Sequence, residues 1–132
     1  MIPVMQTEVG DRGNCYSACL ASLLHLPISD VPNFFDTAAD DSPAAWFAGV
    51  REWLAGHNLC VTSFEVDANG RFYGWSPHAY LITCGKSPRG RDHATIWKGG
   101  VMVHDPHPDG TGILVPDSVD LLYPLDPFRS RP

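Results

Sequence analysis

An α+β fold is the expectation for this 132-residue chain, because two helical stretches come first and a run of short strands follows. Three observations carry it. Apolar side chains recur at helical spacing in residues 14–26 and again in 42–56. From residue 59 onward, β-branched and aromatic runs alternate with turn residues. The 12 glycines and 12 prolines break the chain into short elements joined by loops. At this length a single domain over residues 1–132 is expected, an N-terminal helix packed on a small antiparallel sheet.

Residues 1–13 read as irregular, with Gly10, Asp11 and Gly13 marking a loop. Asn14 is a good N-cap type for a first helix that runs through CYSACLASLLHL until Pro27. Ser29 to Pro32 reads as a turn or a single helical turn, and Asp36 to Ser42 as an acidic loop. A second helix starts with Ser42 as cap and Pro43 at its first position, where the missing N–H costs nothing. Trp46, Phe47, Val50, Trp53 and Leu54 form its apolar stripe, and it ends near Gly56. Strands follow at Leu59–Val66, His78–Cys84, His93–Lys98 and Val101–Asp105. Asp67 to Gly70 makes the first turn between them, and Gly99-Gly100 joins the last two. Ile113–Val115 reads as a short edge strand, and the proline-rich tail as surface wrapping.

A net charge of -6 offers no basic stripe to neutralise phosphates, so nucleic-acid binding is not expected. No segment approaches the ~20 apolar residues that cross a bilayer. The opening MIPVMQTEVG lacks a positive stretch followed by an apolar run, so no signal peptide is expected. Cysteines 15, 19, 60 and 84 form no C-x-x-C pair, which points to reduced thiols in a cytoplasmic protein.

Cys15 falls in the first turn of the first helix, directly after a glycine-containing loop. Unpaired backbone N–H groups and the helix dipole stabilise a thiolate there, and the thiolate is the nucleophile. Cys15, Ala18, Cys19 and Ser22 share a face of small side chains, against which a histidine-bearing sheet could approach closely. The competing reading is a small apolar filler, which is how Cys19, Cys60 and Cys84 are read.

The segment RDHATIWKGGVMVHDPHPDG supplies the rest. A three-residue hairpin loop at Lys98-Gly99-Gly100 would set Trp97 opposite Val101 and His93 opposite Asp105, close enough for an imidazole–carboxylate bond. A two-residue loop would turn Asp105 to the other face. His93 is then a general base and Asp105 the group that orients it, since a carboxylate fixes the tautomer and supports the imidazolium. Asp105-Pro106 also reads as a plain strand end. The H-D-P-H run is a weaker zinc candidate, because His104 and Asp105 point to opposite faces and no metal motif accompanies them. No metal or other cofactor is expected. Arg89 and Arg91 could clamp a carboxylate or phosphate. Arg91 and Asn14 are taken as the substrate-binding residues, Asp36 to Asp41 could draw a cationic peptide, and Trp75 in its glycine-rich loop could line a cleft.

These residues resemble the papain-like cysteine peptidases, most closely the bacterial branch that trims leader peptides from bacteriocins. The order Cys, His, Asp is similar, as are the glutamine ahead of the cysteine, the helix opening at it with CYSACLASLL, and the strand-ending DP. HATIWKGGVMVHDPHPDG also looks like small papain-like proteins encoded by bacteriophages. The likeness covers residues 5–25 and 91–110; the middle of the chain is loosely constrained. VGDRG lengthens the loop after Gln6 relative to the family, and Asn14 replaces its usual glycine or aspartate. The resemblance implies a thiol protease with a Cys15–His93–Asp105 catalytic triad, and Gln6 as an oxyanion donor. Its reaction would be hydrolysis of an amide, peptide or isopeptide bond in a peptide or protein, a host factor if the origin is viral. The same triad serves an acyltransferase, and a non-catalytic binding or inhibitor module on the scaffold is the reading from another class.

Overall fold

The computed structural model describes residues 1–128; the last four positions of the expected domain and tail lie outside the described residues. Three helices precede five strands: α1 (Cys15–Leu24), α2 (Phe34–Thr37), α3 (Pro43–Gly56), then β1 (Leu59–Glu65), β2 (Tyr80–Lys86), β3 (Asp92–Lys98), β4 (Val101–His104) and β5 (Pro116–Pro124). The strands form one antiparallel sheet in the order β1-β5-β2-β3-β4. The α+β class is therefore as the sequence predicts. Among the described residues, no helix is long and apolar enough to cross a membrane.

Helix α1 stops at Leu24, short of Pro27, because His25 takes the left-handed conformation at φ 57° and donates its N–H to the Ala21 carbonyl. Helix α3 begins as expected: the Ser42 hydroxyl accepts the Ala45 N–H, and Pro43 sits in the first turn. A 3₁₀ turn (Ile28–Asp30) and α2 link them. The sequence reading treats 36–42 as loop, but α2 starts two residues earlier, where Asn33 accepts the Phe35 N–H as a cap.

α1 packs on β3 and α3 on β1. Between helices and sheet lie Leu20, Phe34, Val50, Leu54, Ile82 and Ile96, all essentially without solvent contact. Burying a side chain of this kind stabilises by roughly 1.5–3 kcal/mol, so these six fix where α1 lies over the sheet. On β3, Thr95 lies between its core neighbours Ala94 and Ile96 in sequence, and its hydroxyl donates to the Thr83 carbonyl (2.8 Å) while accepting the Trp97 indole N–H (2.9 Å). Trp75 stacks on Trp97 with centroids 5.4 Å apart. It lines neither of the clefts described below, contrary to expectation.

The largest departure is β5. Residues 113–115 are not an edge strand, and the tail up to Pro124 does not wrap the surface. Pro116–Pro124 inserts between β1 and β2, pairing with both, and its prolines stand at the two ends where a missing N–H is tolerated. Asp117 and Asp120 obscure the strand pattern in the sequence, and Asp120 is buried by partners from distant elements.

Candidate functional site

The hairpin that carries His93 and Asp105 differs from its expected register. Gly99 (φ 62°) and Gly100 (φ 81°) form a two-residue turn, which needs positive φ at both positions, so Lys98 pairs with Val101 and Trp97 with Met102. Taken alone, that register would send Asp105 to the wrong face. A β-bulge between Ile96 and Trp97 corrects it: Ile96 pairs with His104, and Val103 is the extra residue. One more step sets Asp105 beside Thr95, diagonal to His93 and on its face. Expected and observed registers differ, yet the pair forms.

His93 Nε2 donates to Asp105 Oδ1 at 2.6 Å, with both side chains 3% exposed. The same oxygen accepts the His107 N–H (2.9 Å), and Oδ2 accepts the Gly112 N–H (2.7 Å). Gly112 has φ 70°, and a Cβ there would come within 2.9 Å of the Met102 sulfur. A glycine is needed at that donor, which the sequence reading overlooks in D-G-T-G.

With Nε2 committed to Asp105, Nδ1 is the ring nitrogen left for Cys15. Cys15 is half-buried and lines two clefts together with His93, one of about 530 Å³ and one of about 230 Å³. Burial opposes charge on His93. The hydrogen bond to Asp105 and then the hydrogen bond and charge of Cys15 outweigh it, and push the imidazole up to about 9. Burial also pulls the Asp105 carboxyl upward, but the His93 bond and the two backbone N–H groups hold it below its ordinary value. Cys19 is fully buried, and burial raises its thiol well above the ordinary range, as it does for Cys84. Cys84 nonetheless reaches the large cleft, and Cys60 is half-buried rather than core.

Gln6 is brought to the small cleft by a folded loop. The Gly13 N–H bonds the Gly10 carbonyl, the Asn14 N–H bonds the Glu8 carbonyl, and Gln6 N–H bonds the Pro106 carbonyl. Its Nε2 donates to the Glu8 carbonyl at 2.8 Å, which leaves its second N–H available, while Oε1 is buried without a partner. Asn14 is the element that pins this loop. Its Oδ1 accepts the N–H groups of Thr7 and Glu8, both at 2.9 Å, and its Nδ2 donates to the Thr7 hydroxyl. Asn14 therefore neither caps α1 with its side chain nor faces a cleft, and as a substrate-binding residue it is corrected: 7% exposed, it spends its polar atoms on the loop.

Arg91 lines both clefts but pairs with Asp11, and Arg89 donates to Asp109 (2.6 Å) and Thr111 (3.2 Å). His107 lines the small cleft with its ring edge-on to His93, centroids 6.0 Å apart. His104 turns away and donates to the Val4 carbonyl (2.8 Å), so His104 and Asp105 serve different partners. No group of three metal-ligating side chains occurs among the described residues.

The large cleft has walls that sequence reasoning missed. Tyr16, Phe35 and Trp46 supply apolar surface, and Asp40 and Asp41 of the acidic loop stand at its margin. Trp46 belongs to the apolar stripe of α3, and its ring contact with Tyr16 of α1 sets it in the cleft wall. Compared with known proteins, the chain matches no family model and no curated relative.

Proposed function

We propose that this chain is a papain-like thiol hydrolase acting on an amide, peptide or isopeptide bond. The observation that carries the proposal is His93, bonded to Asp105 and lining both clefts together with Cys15. A nucleophile on a helix N-terminus, sharing its clefts with a base that is bonded to an orienting group, forms the constellation that activates a thiol for acyl transfer.

In the proposed cycle the Cys15 proton rests on His93, whose imidazole is raised to about 9 and is held as imidazolium by Asp105, and the thiolate attacks the substrate carbonyl. The oxyanion is met by the Cys15 amide, in the first helical turn where N–H groups lack helical partners, and by the free N–H of Gln6. Imidazolium then returns its proton to the leaving nitrogen as the C–N bond breaks and a thioester remains. Water, deprotonated by His93, attacks the thioester and releases the acid and the thiol. Asp105 keeps the ring oriented and its charge stabilised throughout. An amine in place of water would make the same site a transferase. A peptide in the large cleft, against Tyr16 and Trp46, fits the open apolar wall.

A peptide bearing a thiol-reactive electrophile tests the proposal. Covalent adduct at Cys15 by mass spectrometry, lost in His93→Ala, is the expected result. Equal labelling of wild type and variant would favour a binding module on the same scaffold.

A further inference from the structure

Asp120 is a buried carboxylate that the proposed chemistry does not use. It is 3% exposed on the interior strand β5, and both of its oxygens are occupied. The Tyr16 hydroxyl donates to Oδ2 at 2.7 Å, and the Ser63 hydroxyl donates to Oδ1 at 2.6 Å. Three elements, α1, β5 and β1, thus meet at one carboxylate. Burial raises Asp120 above its ordinary value, and the two hydroxyl bonds pull only part of the way back. An aspartate here costs stability that an apolar residue of similar shape would not, so its presence asks for a reason.

The reason lies at Tyr16. It follows Cys15 directly in the first turn of α1, lines the large cleft, and meets Trp46 of the same wall edge-on with centroids 5.0 Å apart. Hydrophobic packing fixes how far α1 lies from the sheet but is non-directional. A hydroxyl–carboxylate bond fixes rotation about the helix axis as well, because its donor and acceptor must align. We propose that Asp120 is a positioning residue: through Tyr16 it sets the first turn of α1 so that Cys15 faces His93 and the aromatic wall stands beside it. Ser63, the other donor, completes the carboxylate without touching α1.

The inference rests on the Cys15–His93 reading, and the experiment separates the two. Cys15 alkylation by iodoacetamide is measured at neutral pH in wild type, Tyr16→Phe, Ser63→Ala and Asp120→Asn, each well below its unfolding midpoint. Tyr16→Phe and Ser63→Ala each leave one carboxylate oxygen short of a donor, so similar losses of stability are expected. Only Tyr16→Phe should slow alkylation, by roughly tenfold or more, since misplacing a reacting group by ~1 Å can cost about 10² in rate. Asp120→Asn, which keeps a carbonyl acceptor for Tyr16, should recover most of the wild-type rate. Equal rates in Tyr16→Phe and Ser63→Ala, whether both slow or both fast, would overturn the positioning role. Slow wild-type alkylation that His93→Ala leaves unchanged would instead overturn the site itself.

Discussion

Asp105 and Asp120 are the same residue type, each less than a tenth exposed and each bonded through both oxygens, yet their acidities move in opposite directions. Asp105 faces an imidazole that can carry positive charge and two backbone N–H groups; these favour the carboxylate over the acid. Asp120 faces two neutral hydroxyls in the middle of the sheet, and desolvation wins. Burial alone does not decide what a carboxylate does. The charge of its donors does, and here it separates the group that orients His93 from the one that anchors α1.

The largest effects should fall on the Asp105 side. Cys15→Ala and His93→Ala are expected to lower turnover of an amide substrate by about 10⁴-fold or more, measured as kcat/KM. Asp105→Ala should cost about 10²–10⁴-fold in the same assay. It should also remove roughly 3 kcal/mol of stability by leaving its partners buried and unpaired, read by denaturant unfolding. Gln6→Ala comes next, about 10²-fold in kcat with little change in KM, because its free N–H would act on the oxyanion alone.

The pH response sharpens the same contrast. Asp105 is depressed, so its contribution is present above the usual carboxylate range and fades as pH falls through its folded value. Asp120 is raised, so the native state holds that proton more tightly and loses stability as pH rises past the usual range. Relative to wild type, Asp105→Asn should be destabilised most at neutral pH and least in acid. Asp120→Asn should gain on wild type over the same rise, within about 1 kcal/mol at pH 7 because deleting a buried charge offsets the altered bonds. Parallel curves for the two variants, followed by thermal unfolding from pH 3 to 8, would remove the distinction. His93 runs the other way from Asp105: its stabilisation is full below its unfolded value and is lost as pH rises through about 9. Activity should decline over that same alkaline step, the apparent value belonging to the coupled Cys15–His93 pair.

The smallest effect is expected at Arg91. Its side chain is about half exposed and paired with Asp11, so Arg91→Ala should change stability by less than about 1 kcal/mol in urea unfolding.

How far the sequence could be read follows from the same two carboxylates. Asp105 was legible as a partner of His93 because a Gly-Gly turn places the two chains side by side. The bulge at Val103 was not legible, since nothing about a valine announces an unpaired residue. Asp120 was opaque: an aspartate in a strand reads as solvent-facing, and its burial depends on hydroxyls from Tyr16 and Ser63 that only the fold brings to it. The loss of β5 from the sequence reading has that cause. Helices α1 and α3 were readable because their signals, apolar spacing and the Ser42-Pro43 start, are local. The cleft walls were not, since Tyr16 and Trp46 look like core until the fold brings their rings together.

The most direct measurement is the alkylation rate of Cys15 followed from pH 5 to 10 in wild type and His93→Ala. The account predicts rapid reaction in wild type already at neutral pH and a second change close to pH 9, as the imidazolium gives up its proton. In His93→Ala the reaction should be slower at neutral pH, and the change close to pH 9 should be absent. Superimposable profiles would mean that His93 has no hold on the Cys15 sulfur, and the catalytic reading would fall with it.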